Sequence, residues 1–382
     1  MRARLVLISG AGAMAIAAAL STAILVAQAP SGTKNFDPTT TNTDAAVKAA
    51  ADAAKAAAAL KNWTPPKTSW GDPDLRGYWL LATYTPLQRP AELKDKPFYT
   101  EQEAIAVFKH AVEADAEVDP RTVHYDWKEY GMDAWQAGAK PNMRTSLIVD
   151  PVDGRLPPRT PEAQKRQAAA QAAARLRNPA AGVQTFGNLY TRCILGLGAA
   201  PLMRGGNPGS DSAAAAAGVS AESHLMQSPG YVTIITQSNS DVRIIPVDTR
   251  PHLPGKVKQW LGDSRGHWEG NTLVVETTNF YRLPPSTNFL GSTEAMTLVE
   301  RLTKVGPNTL KYEYTVSDPN TWTKPWSVET PIPRVDPPIY EFACHEQNYG
   351  LMNVVKGTQI REVEAVRNGG RPAAFGGEGA ER

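Results

Sequence analysis

The chain has 382 residues with 40 Lys plus Arg against 38 Asp plus Glu, a formal net charge of +2 at pH 7. That balance, with both signs interspersed, excludes a basic footprint for nucleic acid and an acidic tail. The length suffices for one large domain or two small ones, and 31 prolines and 9 tryptophans among few long amphipathic runs favour strands and ordered loops over a helical bundle.

At the N-terminus Arg2 and Arg4 precede a run from Leu5 to Ala29 that carries no charge, the pattern of an export signal. The run ends in Ala27-Gln28-Ala29, a small-x-small site for a signal peptidase. Pro30 directly after the cut and the length of the run keep an uncleaved membrane anchor as the second reading. No cysteine follows closely, which argues against a lipid-anchored lipoprotein. The body is expected in the periplasm or secreted, touching a membrane only through this segment if it is uncut.

Residues 30–62 read as a linker: a Thr/Asn/Pro-rich spacer, then Asp44 to Lys61, which is nearly all alanine. That stretch is helical by propensity but has no large apolar stripe to dock, so it is expected as a stalk outside the fold. A single β-rich domain should fill residues 63–372. Its first strand is Gly77 to Tyr84, entered through a tight turn. Thr100 with Glu103 makes a capping box for a helix from Glu101 to about Val112, with Ile105 and Phe108 on its buried face. Arg144 to Val149 reads as a strand and Asp150 to Arg155 as its turn. A second capped helix starts at Thr160-Pro161-Glu162 and runs to Arg177, where Asn178-Pro179 ends it.

Residues 201–221 are a low-complexity insertion of Gly, Asn, Ser and Ala with too little apolar content to pack. Strand patterns then follow closely: Tyr231 to Thr236, Val242 to Val247, His267 to Glu269 into Thr272 to Thr277, Thr297 to Lys304, and Thr309 to Val316. Gly270-Asn271 and Gly306-Pro307-Asn308 are hairpin-grade turns. Trp326 to Thr330 and Ile339 to Cys344 add two more strands, and residues 373–382 read as a disordered tail. The expected fold is mainly β: an antiparallel meander that closes as a barrel or packs as a sandwich, with a few peripheral helices.

Cys193 and Cys344 are the only cysteines, and in an exported body they are expected to pair; two buried free thiols are the alternative. Further blocks occur in a fixed order: Asp241 to Pro246, Arg250-Pro251-His252-Leu253-Pro254, Trp260 to Gly270, and Cys344-His345-Glu346, all after the Asp150 to Arg155 turn. On these blocks, over roughly Trp70 to Gly350, the chain resembles a family of secreted bacterial proteins abundant in soil bacteria. The resemblance implies a shared fold and, since that family carries no agreed activity, no catalytic assignment. Where this chain has His267 the family pattern often has arginine, which counts against an essential proton transfer there. Gly77-Tyr78-Trp79 in turn resembles the glycine-x-tryptophan start of lipocalin-like barrels.

Three constellations offer chemistry. His252, His267 and His345 with Asp248, Asp263, Glu269 and Glu346 have the donor types for a divalent metal, but no pair has close helical spacing, so neither metal nor cofactor is expected. Acid–base chemistry would place His345 and Glu346 at the centre, with Arg265 and His267 beside them. Arg243 and Arg250 would bind an anionic substrate or ligand. Each histidine taken alone reads as structural, above all His252 between Pro251 and Leu253. Ser264 lacks the elbow of a serine nucleophile, and the glycines at 196–198 and 205–206 lack the context of a phosphate loop. The aromatics, chiefly Trp79, Trp268 and Tyr312, would line a cavity for an apolar or carbohydrate ligand, or pack a core.

Two functions stay open. The first is a cofactor-independent lyase, isomerase or hydrolase acting on a small organic molecule. The second is a periplasmic ligand-binding β-barrel without catalysis. Polar residues recurring in turn-flanked blocks tilt the reading toward the enzyme.

Overall fold

The computed structural model describes residues 43–60, 63–116, 138–175, 193–194, 200–203, 222–281, 289–335, 339–346, 349–367 and 369. Contacts divide the chain into Met1–Thr41 and Asn42–Arg382, and every described residue lies in the second unit. The export segment, residues 204–221 of the insertion and the tail from 373 fall outside the described residues.

Ten antiparallel strands form one sheet. They are β1 (Gly77–Leu80), β2 (Ile148–Asp150), β3 (Glu222–Ser228), β4 (Tyr231–Thr236), β5 (Val242–Pro246), β6 (Asp263–Glu269), β7 (Thr272–Thr278), β8 (Thr297–Gly306), β9 (Thr309–Ser317) and β10 (Trp326–Val335). The order is β5-β4-β3-β1-β10-β9-β8-β7-β6, with β2 added to β10. Two meanders, β3 to β5 and β6 to β10, are thus joined through β1, where Trp79 stands opposite Ser223 on one side and Arg334 on the other. Gly270-Asn271 makes the β6–β7 hairpin, Gly270 taking a φ of +60° that L side chains resist.

Alternation along β8 and β9 turns one face of these strands into the core. Leu298, Glu300, Leu302 and Lys304 of β8 and Leu310, Tyr312, Tyr314 and Val316 of β9 turn inward. There they meet Trp79, Trp326, Val328 and Ile332, with Trp322 and Trp326 edge to face at 5.5 Å. Burying five such aromatic rings stabilises the fold by several kcal/mol, at about 1.5–3 kcal/mol for each large side chain.

The sheet does not close into a barrel. Its end strands β5 and β6 meet through the single bridge Val247–Gly266 and through side chains, with no ladder between them. Pro246 at the end of β5 has no N–H to offer one, and β5 is an edge of the kind where proline is tolerated. A mainly β, antiparallel fold with few helices is therefore present, and it fits an open sheet or a sandwich.

Four α-helices accompany the sheet among the described residues: α1 (Thr43–Ala58), α2 (Glu101–Ala116), α3 (Pro161–Arg175) and α4 (Tyr349–Arg367). The capping box at α2 forms in both directions: Thr100 N–H donates to Glu103 Oε2 at 2.7 Å and Glu103 N–H to Thr100 Oγ1 at 3.3 Å. The alanine-rich α1 does not stand free. Val47 is buried with Phe108 and Val112 of α2, and Lys109–Asp44 and Lys55–Glu101 ion pairs flank the contact. Alanine lets two helices approach closely, so one valine suffices where a broad apolar stripe was expected to be needed.

Other boundaries differ from expectation. β1 ends at Leu80 instead of Tyr84, and the segment before β2 joins the structure through an isolated Phe98–Arg144 bridge. Ile339 to Cys344 forms no strand: Tyr340 N–H donates to the Gln237 side chain and Cys344 N–H to the Phe342 carbonyl, a turn instead of a ladder. The first residues of the insertion are not exposed loop either, since Leu202 and Met203 are buried in the core.

Candidate functional site

The residues singled out from the sequence do not gather into one centre. His345 and Glu346 lie exposed in the turn after Cys344, and no hydrogen bond or ion pair joins either to Arg265 or His267. His267 is exposed on β6, its Nε2 3.2 Å from Glu269, which also pairs with Arg301. Arg265 is held by Asp263 at 2.7 Å and by the Pro251 carbonyl. Asp263, itself buried, further accepts the Leu253 N–H and contacts His252 Nδ1 at 2.8 Å, so this carboxylate ties the Pro251 to Pro254 loop to β6. Among the described residues no group of three or more His, Cys, Asp or Glu is placed to hold a metal ion.

Of the five residues assigned to ligand binding, four point to the buried face. Trp79 is fully enclosed and donates its indole N–H to the Leu75 carbonyl at 3.1 Å, while Trp268 packs half-buried against the same core. Arg243 and Tyr312 converge on Glu300. Arg243 grips the carboxylate with both terminal nitrogens, at 3.1 and 2.5 Å, and reaches Ser264 and Thr277. Tyr312 donates to Glu300 Oε1 at 2.6 Å and accepts the Leu202 N–H at 3.0 Å. Burial, then the Glu300 charge, push the Tyr312 phenol well above its ordinary value, so it stays a proton donor. Burial works against the Arg243 charge, but Glu300 more than compensates and the net shift is upward. These side chains fill the interior, and Arg243, Tyr312 and Glu300 pair with one another, while Arg243 Nε and Trp268 Nε1 are buried without an acceptor among the described residues. Arg250, by contrast, is on the surface, paired with Asp248 and the Tyr231 hydroxyl.

An open cavity lies on the other side of the sheet, with a volume of about 540 Å³. One wall is helical: Ala51, Ala54 and Ala57 of α1, with Ala104 and Ile105 of α2. The opposite wall is the outward face of β8 to β10, with Val305, Thr309, Pro331 and Pro333. The segment Lys140 to Met143 closes one side. The geometry follows from composition: alanines keep the helical wall thin, and prolines on β10 present apolar rings where a strand's solvent face would usually carry polar groups.

The charges around this cavity are almost all neutralised. Lys55 pairs with Glu101, Lys311 with Glu313 at 2.9 Å, and Glu329 with Arg144 at 2.6 Å. Lys140 has no ion-pair partner among the described residues, and its half-burial lowers its pKa by desolvation. Beside it the Asn142 side-chain Nδ2 is buried without an acceptor, although Asn142 Oδ1 accepts the Arg144 N–H. Sequence reasoning did not find Lys140 or Asn142, which sit in a loop without a motif. The one readable signal was the small-residue spacing Ala51, Ala54, Ala57 set against Pro331-Ile332-Pro333.

Compared with known proteins, the chain matches no family model, no curated protein and no solved structure. Function is therefore read from the chain's own geometry.

Proposed function

We propose that this is an exported binding protein that holds a small, largely apolar molecule between α1, α2 and the outward face of β8 to β10. The cavity carries the reading. Its volume of about 540 Å³ lies within the range of roughly 300–1,000 Å³ typical of small-molecule sites, and its walls are mostly alanine, proline and aliphatic side chains. Export is supported by the charged start and uncharged run of residues 2–29, and by a Cys193–Cys344 disulfide, which fits an oxidising compartment. Catalysis at His345 and Glu346 gains no such support, because both are exposed and neither is oriented by a partner among the described residues.

The test is titration of the full chain with a neutral apolar fluorophore such as N-phenyl-1-naphthylamine. Saturable one-to-one binding is expected. Ala54→Phe, filling the cavity from the helical wall, and Thr309→Phe, filling it from the sheet wall, should each abolish the signal while circular dichroism stays native. Unchanged binding in both folded variants would place any ligand elsewhere and end this reading.

A further inference from the structure

The cavity is apolar but not electrically blank. Charged side chains from α1, α2, β9 and β10 border it in ion pairs, and among the described residues those pairs leave one lining cation over, Lys140. A buried or half-buried ammonium without a counter-charge costs stability, since it gives up water and gains nothing in return. The Asn142 Nδ2 repeats the pattern in neutral form, as a donor removed from solvent with no acceptor among the described residues. Lys140, a cation with no counter-charge among the described residues, stands with Asn142 on one side of mostly apolar walls, the complement of an apolar body with one anionic end.

Resting on the binding reading above, we infer that the ligand is an amphipathic monocarboxylic acid, its carboxylate held by Lys140 and its hydrocarbon part lying between the alanines of α1 and Pro331 and Pro333. The single lining cation left unpaired among the described residues matches a single negative charge; a phosphate monoester, with up to two, would leave one uncompensated. The unpaired lysine is thereby explained as a cost carried by the empty protein and relieved on binding.

Isothermal titration of the full chain with decanoate, decanol and decyl phosphate at pH 7 tests this. Decanoate should bind about tenfold more tightly than decanol, the worth of one hydrogen bond to a charged group. Lys140→Met should remove that advantage by weakening decanoate alone, while Lys140→Arg retains it. The advantage should also fade below about pH 5, as the ligand's carboxyl takes up its proton. Without ligand, Lys140→Met should unfold at the same temperature as the native chain or higher, which also shows that it folds. Equal affinity for decanoate and decanol, an advantage that survives Lys140→Met, or tighter binding of decyl phosphate would overturn the carboxylate assignment and leave the cavity reading standing. Binding of none of the three would overturn both.

Discussion

Arg243 and Glu300 are a costly choice for an interior: their side chains are 4% and 1% exposed and 2.5 Å apart. Desolvating two ions is repaid only when the geometry is close and the remaining groups are satisfied, and here Tyr312, Ser264 and Thr277 supply most of what is needed. Glu300→Gln should therefore destabilise the protein by about 3–5 kcal/mol, because it leaves a buried guanidinium without its counter-charge. Replacing both ions, as Arg243→Met with Glu300→Leu, should recover most of that loss. Denaturant unfolding of the two single variants and the pair closes the cycle, and a Glu300→Gln protein of native stability would show that the pair contributes little. The sequence marked Arg243 as an anion binder, and it does bind one, but the anion belongs to the protein. Glu300 was not readable as its partner, since Val299 and Arg301 on either side face outward and nothing local shows which residues of this strand turn in.

Where the local signals were chemically specific, the elements formed as expected. The Gly270-Asn271 turn and the Thr100/Glu103 box are such cases, because each satisfies backbone geometry by itself. β3 went unrecognised because Glu222-Ser223-His224-Leu225-Met226-Gln227-Ser228 is poor in β-branched residues; it is a strand because β1 and β4 pair with it on both sides. α4 was missed as well, and Ile339 to Cys344, rich enough to read as a strand, finds no partner strand. The capping box also carries a pH dependence. The hydrogen bond from Lys96, then those from Thr100, hold the Glu103 pKa down at about 2, below its ordinary 4.5. A depressed carboxylate contributes fully above pH 4.5, and its contribution is lost as pH falls toward 2. Helical signal from α2 should therefore decline over that window in the native chain, and Glu103→Gln should flatten that part of the profile. An acid profile unchanged by the substitution would show that the box does not hold the helix end.

At the scale of the molecule, the sheet is left open at β5 and β6, and its stability leans on restraints that cross it. The Cys193–Cys344 disulfide is the covalent one, joining residues 151 apart at a Cα separation of 5.7 Å. It links the chain just before the buried Leu202 and Met203 to the segment that follows β10, so it anchors the piece of chain whose backbone completes the Tyr312 hydrogen bonds. Pairing was legible from cysteine count and an export signal alone; what it anchors was not, because the low-complexity composition of residues 201–221 hid the two buried residues at its start. On the chain-entropy model a loop of this length stabilises the fold by up to about 5 kcal/mol through the unfolded state. Guanidinium unfolding with and without reductant should show a midpoint shifted well down on reduction, and Cys193→Ser with Cys344→Ser should match the reduced protein and no longer respond to reductant. Two coincident transitions would mean that the folded contacts, and not the covalent link, keep residues 200–203 in place. A reduced form that also loses the near-ultraviolet signal of the buried tryptophans at low denaturant would show the opposite: that the packing around Tyr312, Tyr314 and Trp326 depends on this segment being tied down.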